Sequence, residues 1–135
     1  MRCEEDIIYV IDPDEAVHDA LTILLTTTGR RVVCYSNAEA FLDSNFADNS
    51  IRGCVLAEAN LPGMGSLALL RKLRAQAVDL PVVILTSTSN RDIAEQALKA
   101  GAVDVIEKPL VRGRLLSRLQ QLTHRNDDVQ AESKG

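Results

Sequence analysis

The sequence predicts a doubly wound α/β domain, one parallel sheet of five strands with helices on both faces. Short β-branched apolar runs alternate five times with segments of helical periodicity, the pattern of a covered parallel sheet. Two of the runs, "IIYVI" (7–11) and "PVVILT" (81–86), are almost continuously apolar, as strands buried on both faces are. A length of 135 residues with 46% hydrophobic content suits a single core of this size.

The elements follow in order. After the strand at 7–11, Val17, Ala20, Leu21, Leu24 and Leu25 recur at helical spacing, and Gly29 supplies a left-handed stop. "VVCY" (32–35) is the second strand. "SNAEAFL" reads as a capping box with Ser36 at the N-cap and Glu39 three residues on, opening a second helix. "CVLA" (54–57) is a third strand, and Leu67, Leu70 and Leu73 mark a third helix. The strand at 81–86 precedes a helix carrying Ile93, Ala94, Ala97 and Leu98, closed by Gly101. "VDVI" (103–106) and a stripe of Leu115, Leu116, Leu119 and Leu122 complete the set. Residues 1–125 form the domain; 126–135 are polar and unpatterned, a tail or the start of a linker.

Composition narrows the function. Aromatics are 3% with no Trp, too few to stack single-stranded bases, and a net charge of −4 offers no basic field for DNA. Three cysteines, Cys3, Cys34 and Cys54, are odd in number and widely spaced, unlike a disulfide framework or a zinc site. The reading is a cytoplasmic protein with neither signal peptide nor membrane span.

Parallel sheets carry their functional groups beyond the carboxyl ends of the strands. Asp12 follows the first strand, Glu58 the third, Thr86 ends the fourth and Lys108 follows the fifth, so the four converge at one rim. Singly, each has an ordinary explanation: Asp12 before Pro13 forms a turn, Asp14 caps a helix, Thr86 is a strand residue, Lys108 is solvated. Together, two acids, a hydroxyl and an ammonium indicate phosphoryl chemistry or what remains of it.

The motifs "VIDPDEAV", "LAEANLPGMG", "VVILTSTS" and above all "ALKAGAVDVIEKPL" resemble the receiver domains of two-component response regulators, most closely the FixJ-like branch, over about residues 6 to 122. The resemblance implies a flavodoxin-like (βα)5 fold with no catalysis of its own. It also implies a phosphoacceptor Asp ending the third strand, two acids that bind Mg²⁺ after the first, and a Thr and a Lys that contact the phosphate. Thr86, Lys108 and Asp12 match, and Lys108–Pro109 is a candidate cis peptide. Three positions depart: the second acid is Pro13, the phosphoacceptor is Glu58, and the aromatic that moves with the Thr is Val105.

The consequences are geometric. Glu58 carries its carboxylate roughly 1–1.5 Å farther than Asp would, and a misplacement of about 1 Å can cost on the order of 10²-fold in rate. Pro13 brings no side-chain oxygen, which leaves Asp12, Glu58 and Asn60 for any Mg²⁺; binding is expected to be weak at best. The extra reach directs Glu58 to Lys108 as a direct ion pair, with Thr86 donating to the same carboxylate. The expected product is a receiver independent of phosphorylation, either held in an active-like state or simply inert. Output then rests on self-association, through the fourth helix, fifth strand and fifth helix or through the first and fifth helices. Arg91, Glu95, Lys99, Arg112, Arg114 and Arg118 are the candidate contacts. The FixJ-like branch further implies a C-terminal DNA-binding helix-turn-helix beyond these residues. The alternative is a small Mg²⁺-dependent haloacid dehalogenase-like phosphatase using Asp12-x-Asp14, with Thr86 and Lys108 on the phosphate.

Overall fold

Strands and helices alternate without exception in the computed structural model, which describes residues 6–44, 52–76, 80–87, 91–108 and 112–123. The order is β1 (Asp6–Ile11), α1 (Glu15–Thr26), β2 (Arg31–Tyr35), α2 (Ala38–Asp43), β3 (Arg52–Glu58), α3 (Ser66–Ala75), β4 (Val82–Thr86), α4 (Arg91–Ala100), β5 (Asp104–Glu107) and α5 (Arg112–Thr123). The five strands pair in parallel in the order β2-β1-β3-β4-β5. The chain therefore reverses its direction of travel between β1 and β3, and this switch point is where doubly wound sheets open a crevice.

Alternation along the strands divides the core in two. Ile8, Val10, Cys54, Leu56, Val83, Leu85 and Ile106 pack on one face against Leu21 and Leu25 of α1 and Leu115 and Leu119 of α5. Tyr9, Ile11, Val55, Ala57, Val82 and Ile84 face the other way, against Ala38 and Phe41 of α2, Leu69, Leu70 and Leu73 of α3, and Ala97 of α4. Successive side chains of a strand point to opposite faces, so a strand covered on both must be apolar throughout, as β4 is.

Several sequence expectations shift locally. The N-cap of α2 is Asn37, whose side chain accepts from Ala40 N at 2.7 Å, in place of Ser36. Glu39, expected to complete a capping box, instead accepts from Met64 N at 3.0 Å and ties α2 to the β3–α3 loop. Gly63 makes that approach possible: its φ is 68°, and a Cβ there would lie 2.7 Å from Glu39 Oε2. The helix stripes are narrower than expected, since Ala20 is exposed and Leu98 is 48% exposed. Leu67 is only partly buried, with Leu69 taking the core position. β5 starts one residue late because Val103 stays exposed, and β3 extends through Glu58. Leu122's side chain, Pro109 and residues 126–135 lie outside the described residues. At Gly53 the backbone of β1 approaches so closely that a Cβ would collide with the Ile7 carbonyl, and φ is 143°. Only glycine serves there. Among the described residues no helix is long and apolar enough to cross a membrane.

Candidate functional site at the carboxyl rim of the sheet

Asp12 leaves β1 beside the switch point and is 1% exposed. Its amide donates to the Tyr35 carbonyl at 3.0 Å, while its own carbonyl accepts from His18 Nε2 at 2.6 Å. A carbonyl can only accept, so the imidazole carries its proton on Nε2. Asp12 Oδ1 accepts from Asp14 N at 2.9 Å, and Asp14 Oδ1 accepts from Ala16 N at 2.9 Å, capping α1. The Asp-Pro-Asp segment is thus an Asx turn running into an N-cap.

Glu58 is the last residue of β3 and 7% exposed. Its Oε2 accepts from Asn60 N at 2.9 Å, which pins the carboxylate to the loop that follows it. Lys108 is anchored by its amide, which donates to the Thr86 carbonyl at 2.7 Å. From there its side chain crosses the ends of the sheet. Nζ donates to Glu58 Oε1 at 2.6 Å and to Asp12 Oδ2 at 3.0 Å. One ammonium thus bridges the two acids that flank the switch point. Its side chain is 21% exposed, against 9% and 2% for Glu58 and Asp12. Burial would lower the Lys108 pKa, but the hydrogen bonds and charges of Glu58 and Asp12 outweigh it and hold the ammonium above the ordinary lysine value.

The structure brings Asp12, Glu58, Thr86 and Lys108 to one rim. The Glu58–Lys108 pair expected from the longer side chain is present; Lys108 also bonds Asp12 directly and His18 bonds the Asp12 carbonyl, two contacts that side-chain reach alone does not predict. Thr86, 6% exposed, lines a cavity with Glu58 and Asn60. Pro13 is exposed, and Val105 is half-buried against the α2–α4 side of the core. Of the candidate contact residues, Arg91, Glu95, Lys99 and Arg114 are exposed, while the Arg112 side chain lies outside the described residues. Arg118 is engaged within the chain: it donates to Asp104 Oδ2 at 2.8 Å, to Gln121 Oε1 at 2.7 Å and to the Val103 carbonyl at 3.2 Å.

A doubly wound sheet in the order 2-1-3-4-5, with an acid just past its first strand, another ending its third and a lysine just past its fifth, is the arrangement of a signalling receiver. The response regulator receiver domain pattern matches residues 8–120, and the chain belongs to that family. It is 37% identical over 113 residues to the transcriptional regulatory protein FixJ of Bradyrhizobium diazoefficiens, covering 84% of this chain and 54% of that protein. It is 34% identical over 120 residues to the response regulator TmoT of Ectopseudomonas mendocina, covering 89% and 54%. Among solved structures, the FixJ N-terminal domain superposes with a TM-score of 0.78 at 31% identity, covering 88% of this chain and 94% of that one. Full-length FixJ from B. japonicum gives 0.82 at 35%, covering 96% and 62%. The chain spans about half the length of the full-length relatives it matches.

This assignment replaces the phosphatase alternative. Asp14, the acid that reading required, is exposed and spends its carboxylate on capping α1. The Mg²⁺ implied by the family does not fit the donors at this rim. Asp12 Oδ2 and Glu58 Oε1 both serve the Lys108 ammonium, and Pro13 has no side-chain oxygen. Among the described residues no three His, Cys, Asp or Glu side chains are grouped to hold a metal ion. A small divalent ion with strict octahedral demands would have to displace that ammonium and fill the remaining positions with water.

Proposed function

We propose that this chain is a receiver that has exchanged its phosphorylation switch for a fixed internal ion bridge, and that it signals through protein contacts alone. The bridge from Lys108 Nζ to Glu58 and Asp12 carries this reading. Phosphoryl transfer to a carboxylate needs one oxygen in line with the donor and cations to neutralise the moving charge. At this rim the added methylene of Glu58 delivers its oxygen to Lys108, and the lysine that would neutralise a phosphate is already neutralised by two carboxylates. Val105, short and aliphatic, leaves no aromatic ring to move with Thr86. The pocket's chemistry is therefore spent on holding one conformation.

Output on this reading comes from the α4–β5–α5 surface, where Arg91, Glu95, Lys99 and Arg114 are exposed, through self-association in the cytoplasm. The FixJ relatives, one of them named a transcriptional regulatory protein, are about one and a half times as long as this chain, which supports a C-terminal DNA-binding domain as the element controlled. Intact mass after incubation with acetyl phosphate and Mg²⁺ tests the proposal. The wild-type mass is expected to stay unchanged, whereas the double variant Pro13→Asp/Glu58→Asp gains one phosphoryl group. A stable phosphoryl adduct on the wild-type chain would overturn it.

A further inference from the structure

Beside Glu58 lies a partly open cavity of about 290 Å³, bordered by the tips of β3 and β4 on one side and by α3 and α4 on the other. That volume is close to the lower end, roughly 300 Å³, of pockets that hold small ligands. Its lining divides by chemistry. The carboxylate of Glu58, the hydroxyl of Thr86 and the amide of Asn60 stand at the sheet end; Leu67 and Ile93 form an aliphatic wall, with exposed Gln96 on α4 at the margin.

Charge decides which molecule suits it. With Asp12 and Glu58 ionised, two buried carboxylates share one lysine and keep one formal negative charge between them. Glu58 Oε1 accepts from Lys108 Nζ and Oε2 from Asn60 N, and a carboxylate offers about four lone-pair sites, so these two bonds leave acceptor capacity. An anion entering here would meet that charge, while a protonated amine would complete it with short charge-assisted bonds. The aliphatic wall favours an ammonium that carries hydrocarbon over a bare hydrated ion.

We infer that this cavity binds a small organic cation, a primary ammonium on a short apolar chain, with the head on Glu58 and the chain along Leu67 and Ile93. The inference rests on the preceding proposal only in requiring that Glu58 remain an unmodified carboxylate. The mass measurement decides that point separately.

Titration of the ¹⁵N-labelled chain with n-pentylammonium, pentanol, pentanoate and ammonium ion provides the test. Pentylammonium is expected to shift the amides of Asn60, Thr86, Ile93 and Gln96 saturably. Pentanol should bind about tenfold more weakly for want of the charged contact, and pentanoate and ammonium should leave these amides in place. Glu58→Gln should weaken pentylammonium binding by about tenfold. Gln96→Lys, at an exposed position, brings a built-in ammonium to the margin and should weaken it without moving the thermal midpoint. Equal binding of pentanol, binding of pentanoate, indifference to both variants, or no saturable shift at these four amides would each overturn the inference.

Discussion

Leu56 and Glu58 stand two residues apart on β3, both shielded from solvent, and they are held by unrelated forces. Leu56 is fully buried beneath α1 and α5, where any apolar neighbour of the right volume contributes. Glu58 depends on two named donors, Lys108 Nζ and Asn60 N, at 2.6 and 2.9 Å. Packing is additive and forgiving of chemistry, whereas the rim is stoichiometric: remove one partner and a buried charge is left over. A receiver scaffold can therefore persist on its packed faces while the chemistry at its rim is rewritten residue by residue.

Truncating each region in turn sharpens this contrast. Leu56→Ala, which opens a cavity between the sheet and two helices, should cost about 2–5 kcal/mol in denaturant unfolding. Lys108→Met strands two carboxylates and should cost about 1–3 kcal/mol, less than for a fully buried pair because the ammonium keeps some solvent contact. Adding Glu58→Gln to Lys108→Met should recover part of that loss, while the same addition to Leu56→Ala should only add to the damage. A rim as forgiving as the core would show no such recovery.

The rim also has a pH signature that the core lacks. The folded chain holds the Lys108 proton more tightly than the unfolded chain does, so the stabilisation is complete below the ordinary lysine pKa, about 10.4. It is lost as pH rises through the higher folded value. The stability difference between wild type and Lys108→Met should be flat through neutrality and shrink on that alkaline limb; the difference for Leu56→Ala should not change there. The smallest effect belongs to local helix chemistry: Asn37→Ala should cost about 1 kcal/mol through loss of the α2 cap.

What was legible in the sequence follows the range of the interaction. Strand and helix identities are set by local periodicity, and the rule that sites lie past strand ends places Asp12, Glu58, Thr86 and Lys108 together without any coordinates. The Glu58–Lys108 pair follows from side-chain reach. The Asp12–Lys108 bond does not, because it depends on how far a side chain anchored at β5 extends across β4 and β3 toward β1, a distance no local pattern encodes. Ser36 and Asn37 are adjacent capping residues of similar strength; Asn37 takes the cap, while Glu39, which would close a box on Ser36, accepts from Met64 N, twenty-five residues away. Leu98 fits the α4 periodicity, yet the helix is phased by Ala97 against the sheet, and Leu98 is turned outward.

The amide spectrum of the ¹⁵N-labelled chain in Mg²⁺ with beryllofluoride, an acyl-phosphate mimic, bears most directly on the closed rim. Resonances of Asp12, Glu58, Thr86 and Lys108 should stay in place at all concentrations if, as proposed, the bridge holds Lys108 and both carboxylates fixed. Saturable movement of those four amides would show a pocket still able to take up phosphate, and would contradict the bridge as a fixed device.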